Sequence, residues 1–395
     1  MALTTVSSDR LSTNVKNTNF TAAEKQDLTN DILPLAKQFG QSKNLIINGA
    51  MQVAQRGTSS TTTGYATVDR FLISQGGVDE APTQAQVDVA SGTTPYTLGF
   101  RKAFKLTNGN QTSGAGAADY LIIRTILEAQ DIANSGWNYL SSSSDITLSF
   151  WVKSSVAQNF YGTVRSIDTA YVYPFETGSL SADTWTKITK TIPGNSNLTF
   201  NNDNGAGLYV SFMPFFGTDY TASSVNLNQW AAYSLSTQTP DYTSTWYTTN
   251  DATFEITGVQ LEVGSVATDF EHRSFSDELM RCYRYYQVIA KGSDGTAGAR
   301  APLCSGGMYG TASFYGVLTF KNKMRTIPSL DVVNGTDYWQ VYNGAADTCN
   351  TLSYNNATPE AITLYLSGGL SATNGIGGWS RTNNAAAFVA AQAEL

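Results

Sequence analysis

A mainly β protein, two β-sandwiches behind a short N-terminal helix, is what this sequence predicts, and three observations carry that expectation. From Asn44 onward apolar residues recur with a period of two, in runs such as Ile146-Thr147-Leu148-Ser149-Phe150-Trp151-Val152, rich in β-branched and aromatic side chains. Gly, Asn and Pro punctuate these runs at Asn108-Gly109, Pro193-Gly194 and Asn204-Gly205, where turns need them. Of the 395 residues, 14% are charged and 12% aromatic, whereas an average soluble domain is about 25% charged. A chain with few charges and many aromatics has the composition of a folded protein, with Ser, Thr, Asn and Gly supplying the polar surface.

Residues 1–43 form the first unit. Residues 1–20 are polar and without pattern, as in an arm that orders on a larger assembly. Thr21-Ala22-Ala23-Glu24 is a capping box and opens a helix over 22–39. Its apolar residues Leu28, Ile32, Leu35 and Phe39 follow heptad spacing, and Pro34 kinks the helix or splits it. Such a stripe serves either packing on its own domain or association with copies around a trimer axis. Residues 44–273 form the second unit, with strands expected at 44–54, 67–74, 99–107, 120–127, 145–153, 159–165, 184–192, 206–215 and 253–263. A connecting helix follows over 274–286. Ser276-Asp277-Glu278 caps it, and Leu279, Cys282, Tyr283 and Tyr286 make one packing stripe. Residues 287–395 form a C-terminal β-sandwich with strands at 308–320, 329–333, 337–342, 361–366 and 384–390. The stretch 367–378, SGGLSATNGIGG, lacks the Gly-Lys-Ser/Thr of a phosphate cradle and reads as a surface loop.

Several function classes fall away on composition. A net charge of −7 with no basic run argues against nucleic acid, whose affinity rests on Lys and Arg. Cys282, Cys304 and Cys349, odd in number and widely spaced, suggest reduced thiols in or near a core rather than a disulfide framework or a zinc site. The N-terminus MALTTVSSDR has neither the basic start nor the apolar stretch of a signal peptide. No apolar run approaches the ~20 residues that span a bilayer. Synthesis in a cytoplasm, without a secretory signal, follows as an expectation.

Two phrases carry more. NLIINGAMQVAQRG (44–57) and ITGVQLEVGSVATDFEHRSFSDELMRCYRYY (256–286) resemble the opening and closing segments of a β-sandwich module in tail-fibre and related virion proteins of marine tailed phages, especially those of cyanobacteria. ITLSFWVKSS (146–155) and DTWTKITKTIP (183–193) resemble strands of a jelly roll related to carbohydrate-binding modules. Met324–Leu330 and Ala393-Glu394-Leu395 resemble the same proteins' distal domain. The resemblance implies a jelly roll in which Asn44–Val53 pairs near Phe254–Val263. It also implies a virion component, fibre or appendage, that docks on other virion proteins through its N-terminal arm, assembles as a homotrimer through Leu28, Ile32, Leu35 and Phe39, and attaches to host surface polysaccharide. The alternative is a head or tail decoration without a receptor, since only 43 residues precede the sandwich.

Catalytic chemistry finds little to use, and no catalytic residue is assigned. The single histidine, His272, reads as hydrogen-bonded at the end of the sandwich rather than as a general base. Asp145, Asp183, Asp203, Asp219, Asp241 and Asp251 are scattered over strand ends and loops. No β-helix repeat of the kind found in fibre-associated depolymerases appears, so that class remains only a formal alternative. No cofactor is expected. Structural calcium, held between the first and last strands, would draw on Asn48, Asp69, Glu255 and Glu262, too few acids for a dense oxygen shell. Glycan binding needs exposed rings beside polar groups. The candidates are Tyr242, Trp246 and Tyr247 in the 217–250 insertion and Tyr338 and Trp339 in the distal domain, while Trp151 and Trp185 are assigned to the core.

Overall fold

The alternating runs fold into four antiparallel sheets in the computed structural model, which describes residues 43–395. The helix expected over 22–39, with Leu28, Ile32, Leu35 and Phe39, lies outside the described residues. The first twelve strands are β1 (Ser59–Ser60), β2 (Phe71–Gly76), β3 (Thr83–Asp88), β4 (Lys102–Thr107), β5 (Tyr120–Glu128), β6 (Asp145–Ser154), β7 (Asn159–Ser166), β8 (Tyr171–Ser179), β9 (Thr186–Pro193), β10 (Ala206–Phe216), β11 (Ala231–Ala232) and β12 (Thr253–Val263). They form two six-stranded sheets, ordered β1-β3-β4-β12-β6-β9 and β11-β8-β7-β10-β5-β2. The inward residues of one, including Phe104, Leu148, Phe150 and Ile256, meet Phe71, Ile123, Phe160 and Phe212 of the other in a continuous buried core. Alternation with period two places these residues on one face, so burial selects the register.

After β12 comes the helix α1 (Phe275–Cys282), and then ten strands. These are β13 (Tyr286–Lys291), β14 (Pro302–Met308), β15 (Ser313–Thr319), β16 (Ser329–Val333), β17 (Trp339–Tyr342), β18 (Ala346–Cys349), β19 (Thr351–Ala357), β20 (Ala361–Ser367), β21 (Gly377–Thr382) and β22 (Phe388–Gln392). A seven-stranded sheet, β18-β17-β21-β14-β15-β20-β19, is backed by a three-stranded one, β13-β22-β16. Phe314, Trp339, Val341, Leu352, Ile362, Leu364 and Leu366 of the large sheet pack with Ala290 and Val389 of the small one. Among the described residues no sheet packs on the opposite face of the large sheet.

The structure departs from the sequence expectations where side chains override periodicity. Residues 44–54 are turns rather than a strand. Asn48 and Met51 have φ of 61° and 58°, and the Asn48 amide donates to the Val53 and Asp69 carbonyls at 2.9 Å. The segment still runs along β12: Leu45 N donates to Leu261 O and Val259 N to Gly49 O, both at 2.9 Å. It enters at the bulge between Thr257 and Gln260. There Gly258 has φ +63° and a Cβ would meet the Phe100 ring at 2.6 Å, so glycine is required on both counts. The cap of α1 is Ser274, not Ser276; its hydroxyl accepts from Asp277 N at 3.1 Å. Alternation does not reveal strand β3, because TQAQVD is largely polar, nor β8, because Pro174 interrupts it, nor β14 and β21, whose glycines imitate loop.

A polar junction joins the two sandwiches within the compact unit Asn44–Leu395. Glu394 accepts from Arg56 at 3.1 Å and also from Arg70. The Arg70 guanidinium lies 3.4 Å over the Tyr285 ring, and that of Arg56 lies 3.5 Å over Tyr286. Burial alone would disfavour the Arg70 charge; Glu394 more than restores it. Arg325 holds the same segment, donating to Ala393 O at 2.8 Å and Glu394 O at 2.6 Å. Arg284 makes a two-pronged pair with buried Glu128 at 2.6 and 2.7 Å, to which the Tyr285 hydroxyl also donates at 2.6 Å. Beside them Asp69 is fully buried, and burial pushes its carboxyl up to about 6 despite hydrogen bonds from Gln55.

Candidate functional site

Three of the five rings proposed for glycan stacking are core residues. Trp246 is fully buried, its indole N–H donating to Thr253 O at 3.0 Å. Tyr247 is also fully buried, stacked on Phe215 at 4.2 Å and 15°. Trp339 is fully buried too, donating to Asn334 Oδ1 at 2.7 Å. None has a face free for a sugar. The insertion they mark supplies apolar area to the sandwich, and at β17 the alternation turns Trp339 inward. Tyr338 is half-buried, packed over Gly335 and against the distal core. Tyr242 is half-buried among Tyr161, Phe215 and Phe216, with its hydroxyl donating to Met213 O at 3.0 Å. It lines an open groove of about 220 Å³ with Ala117, Gly217, Thr221 and Asp241.

Trp151 and Trp185, assigned to the core from sequence, lie half-buried on the outer face of the first sheet. Trp185 borders a groove of about 190 Å³ with Lys105, Lys153 and Glu255. Its ring is already covered by Lys153, whose Nζ lies 5.2 Å from the centroid and 3.0 Å from Glu255 Oε1. Lys153 and Glu255 satisfy one another here.

The uncovered face of the seven-stranded sheet is different. On β15 (SFYGVLT) Phe314, Gly316 and Leu318 turn inward, leaving Tyr315 and Val317 outward. On β20 Leu364 and Leu366 turn inward and Tyr365 outward; it pairs across the strands with Tyr315, ring centroids 5.0 Å apart. Tyr309, 76% exposed, stands edge-on to Tyr315 at 5.6 Å. On β21 Ser380 and Thr382 are buried, so Gly377, Trp379 and Arg381 face out. Trp379 is 38% exposed and pairs with Tyr342 of β17, centroids 5.9 Å apart. Two aromatic groups thus flank β14, whose outward residues are Ser305 and Gly307. A Cβ on Gly307 would meet nothing nearer than Ile376 O at 3.5 Å, and one on Gly377 nothing nearer than Gly306 O at 3.9 Å. Neither glycine has positive φ. The backbone does not demand them; their effect is a shallow trough between rings. Trp379 lies opposite Ser305 and Tyr315 opposite Gly307, so the rings stand two strands and two residues apart, roughly 12 Å at ~4.8 Å per strand and ~3.4 Å per residue, the scale of a di- or trisaccharide.

Sequence reasoning named this lobe but not these residues. The inward–outward alternation of SFYGVLT and AITLYLS was legible; that the outward face stays uncovered was not. The remaining candidates sit as follows. His272 Nε2 is 2.8 Å from Leu98 O, its ring against Phe100 and Phe270. The thiols of Cys282, Cys304 and Cys349 are unpaired, and burial pushes that of Cys349 up to about 12. Asn48 and Asp69 share one hydrogen-bond network, Glu255 pairs with Lys153, and Glu262 accepts from Thr268. Among the described residues no three His, Cys, Asp or Glu side chains are placed to share a metal ion.

No family model matches the chain, and no curated protein matches it. Solved structures do. The enzymatically active domain of bacteriophage CBA120 tailspike protein 4 aligns over 56% of this chain and 21% of its own, with 9% identity and a TM-score of 0.29. A putative sugar binding protein from Bacteroides thetaiotaomicron aligns over 56% of this chain and 100% of its own, with 12% identity and a TM-score of 0.29. The CBM22-1–CBM22-2 tandem domain of Paenibacillus barcinonensis Xyn10C aligns over 90% of this chain and 99% of its own, with 9% identity and a TM-score of 0.28. Similarity at this level does not carry a function to this chain.

Proposed function

We propose that this protein is a glycan-binding attachment protein of a tailed-phage virion, and that it binds host surface polysaccharide along the outer face of the seven-stranded sheet. The observation that carries the proposal is the trough floored by Gly307 and Gly377 and flanked by Trp379–Tyr342 and Tyr309–Tyr315–Tyr365. Sugar C–H faces stack on such rings while hydroxyls reach polar partners, here Ser305 and the phenols. Resemblance of 44–57 and 256–286 to tail-fibre proteins supports the virion placement. So does the heptad stripe at Leu28, Ile32, Leu35 and Phe39, through which we propose a homotrimer, with the preceding arm docking on other virion proteins. The proposed role is binding without cleavage and without a cofactor; no carboxylate faces out from the strands that border the trough.

The test is competition for adsorption. The wild-type protein slows phage adsorption to host cells. Trp379→Ala and Gly377→Val do not, although both keep the wild-type melting temperature. The valine matters most, because it fills the trough in a conformation its backbone already has. Competition by both variants at wild-type strength would refute the site. If virions lacking the protein also adsorb normally, the decoration role takes its place.

A further inference from the structure

The glycan face just described carries one charge. The seven strands of its sheet contain two charged residues, Asp347 and Arg381. Asp347 lies opposite inward-facing Val341, and its carboxylate accepts from Ser371 N at 2.7 Å. Arg381 faces out beside Trp379, its guanidinium carbon 4.8 Å from the indole centroid. Its Nε donates to Gln340 Oε1 at 2.7 Å, which fixes the plane of the group. No carboxylate among the described residues forms an ion pair with it. Partial burial and the repulsion of exposed Arg300 both lower the Arg381 pKa. In a chain of net charge −7, an acid-free face holding an oriented, unpaired guanidinium beside a second arginine is unusual. An arginine fork with its Nη groups free matches a planar oxyanion, and stacking on Trp379 sets it level with a sugar lying on the ring.

Resting on the glycan-binding proposal, we infer that the polysaccharide this face takes is anionic, its carboxylate or sulfate groups bound by Arg381 while its rings stack on Trp379 and Tyr342. Neutral segments of the same polymer fit the trough through stacking alone. The anionic group therefore sets preference, and the rings set the base affinity.

The experiment uses the full chain and affinity electrophoresis against four polymers: polygalacturonate, the same polymer with its carboxyls reduced to alcohols, dextran sulfate and dextran. The wild-type protein is expected to bind an anionic polymer about tenfold tighter than its neutral counterpart, with the preference fading at high salt. The uronate and sulfate arms tell which group is read. In Arg381→Gln the preference disappears and binding to the neutral polymer persists; in Trp379→Ala both fall. An undiminished preference in Arg381→Gln, or a wild-type preference for the neutral polymer, overturns the inference and leaves glycan binding standing. If the wild-type protein binds none of the four, the anionic inference fails, and the adsorption competition decides glycan binding. If Trp379→Ala instead dissociates an oligomer, the face is a contact between copies, and both fail.

Discussion

Replacing Glu394 by alanine leaves two guanidinium groups in the junction without their carboxylate. Side-chain exposure is 8% for Arg56, 2% for Arg70 and 7% for Glu394, so water cannot take over the lost bonds. Removing one partner of a buried ion pair costs about 3–5 kcal/mol, because the other charge stays desolvated. Two arginines share one carboxylate here, but Arg70 keeps the Ile126 carbonyl at 2.6 Å and both keep their tyrosine rings. The two losses therefore do not simply add. A change of that size lowers the melting temperature by about 4–7 °C in a unit this large, whose unfolding entropy is roughly 0.7 kcal/mol per degree. Cys282 gives a local readout, since it is fully buried beside Arg70 and Glu394. If the junction opens ~3 kcal/mol more easily, thiol labelling of Cys282 should be about a hundredfold faster. Paired scanning calorimetry and labelling of Glu394→Ala against wild type measure both effects. A melting temperature within about one degree of wild type, with unchanged Cys282 labelling, would refute the assignment of Glu394 as the clamp between the two sandwiches.

Asp69 makes stability depend on pH. Its carboxyl is raised from 3.8 to about 6 by burial, so the folded state holds a proton that the unfolded chain has lost, and stability falls as pH rises between those values. At ~1.4 kcal/mol per unit this residue costs ~3 kcal/mol above pH ~6. The stability difference between Asp69→Asn and wild type should shift by that amount between about pH 4 and 7, and a flat difference would show that Asp69 titrates normally. Trp246→Ala should destabilise by about 3–5 kcal/mol as a core truncation, while Trp379→Ala should stay within about 0.5 kcal/mol; chemical denaturation compares them. Leu28→Asp with Leu35→Asp should convert a trimer to monomers in sedimentation while leaving the sandwich transition unchanged, and a wild-type monomer at micromolar concentration would remove the trimer from the proposal.

Much of this protein was legible as sequence because alternation with period two needs no partner to be read. DITLSFWVKS, AGLYVSFMPFF and TFEITGVQLEV declare strands β6, β10 and β12 whatever they pack on. Glycine and proline obscured what alternation could not show: β8, β14 and β21 pair within their sheets yet carry turn residues. The segment 44–54 looked like a strand, but the Asn48 side chain takes the bonds a ladder would have taken. The ring residues show the limit most sharply. Trp339 and Trp379 are chemically the same, and no local pattern tells that one is fully buried and the other more than a third exposed. That difference is set by the three-stranded sheet, which covers one face of the larger sheet, while no sheet among the described residues covers the other. The partner of Glu394 is likewise invisible in sequence, since Arg56 and Arg70 lie more than three hundred residues away. Strand identity is local and follows from side-chain periodicity; exposure and charge pairing are set by which faces meet, and only the tertiary structure decides that.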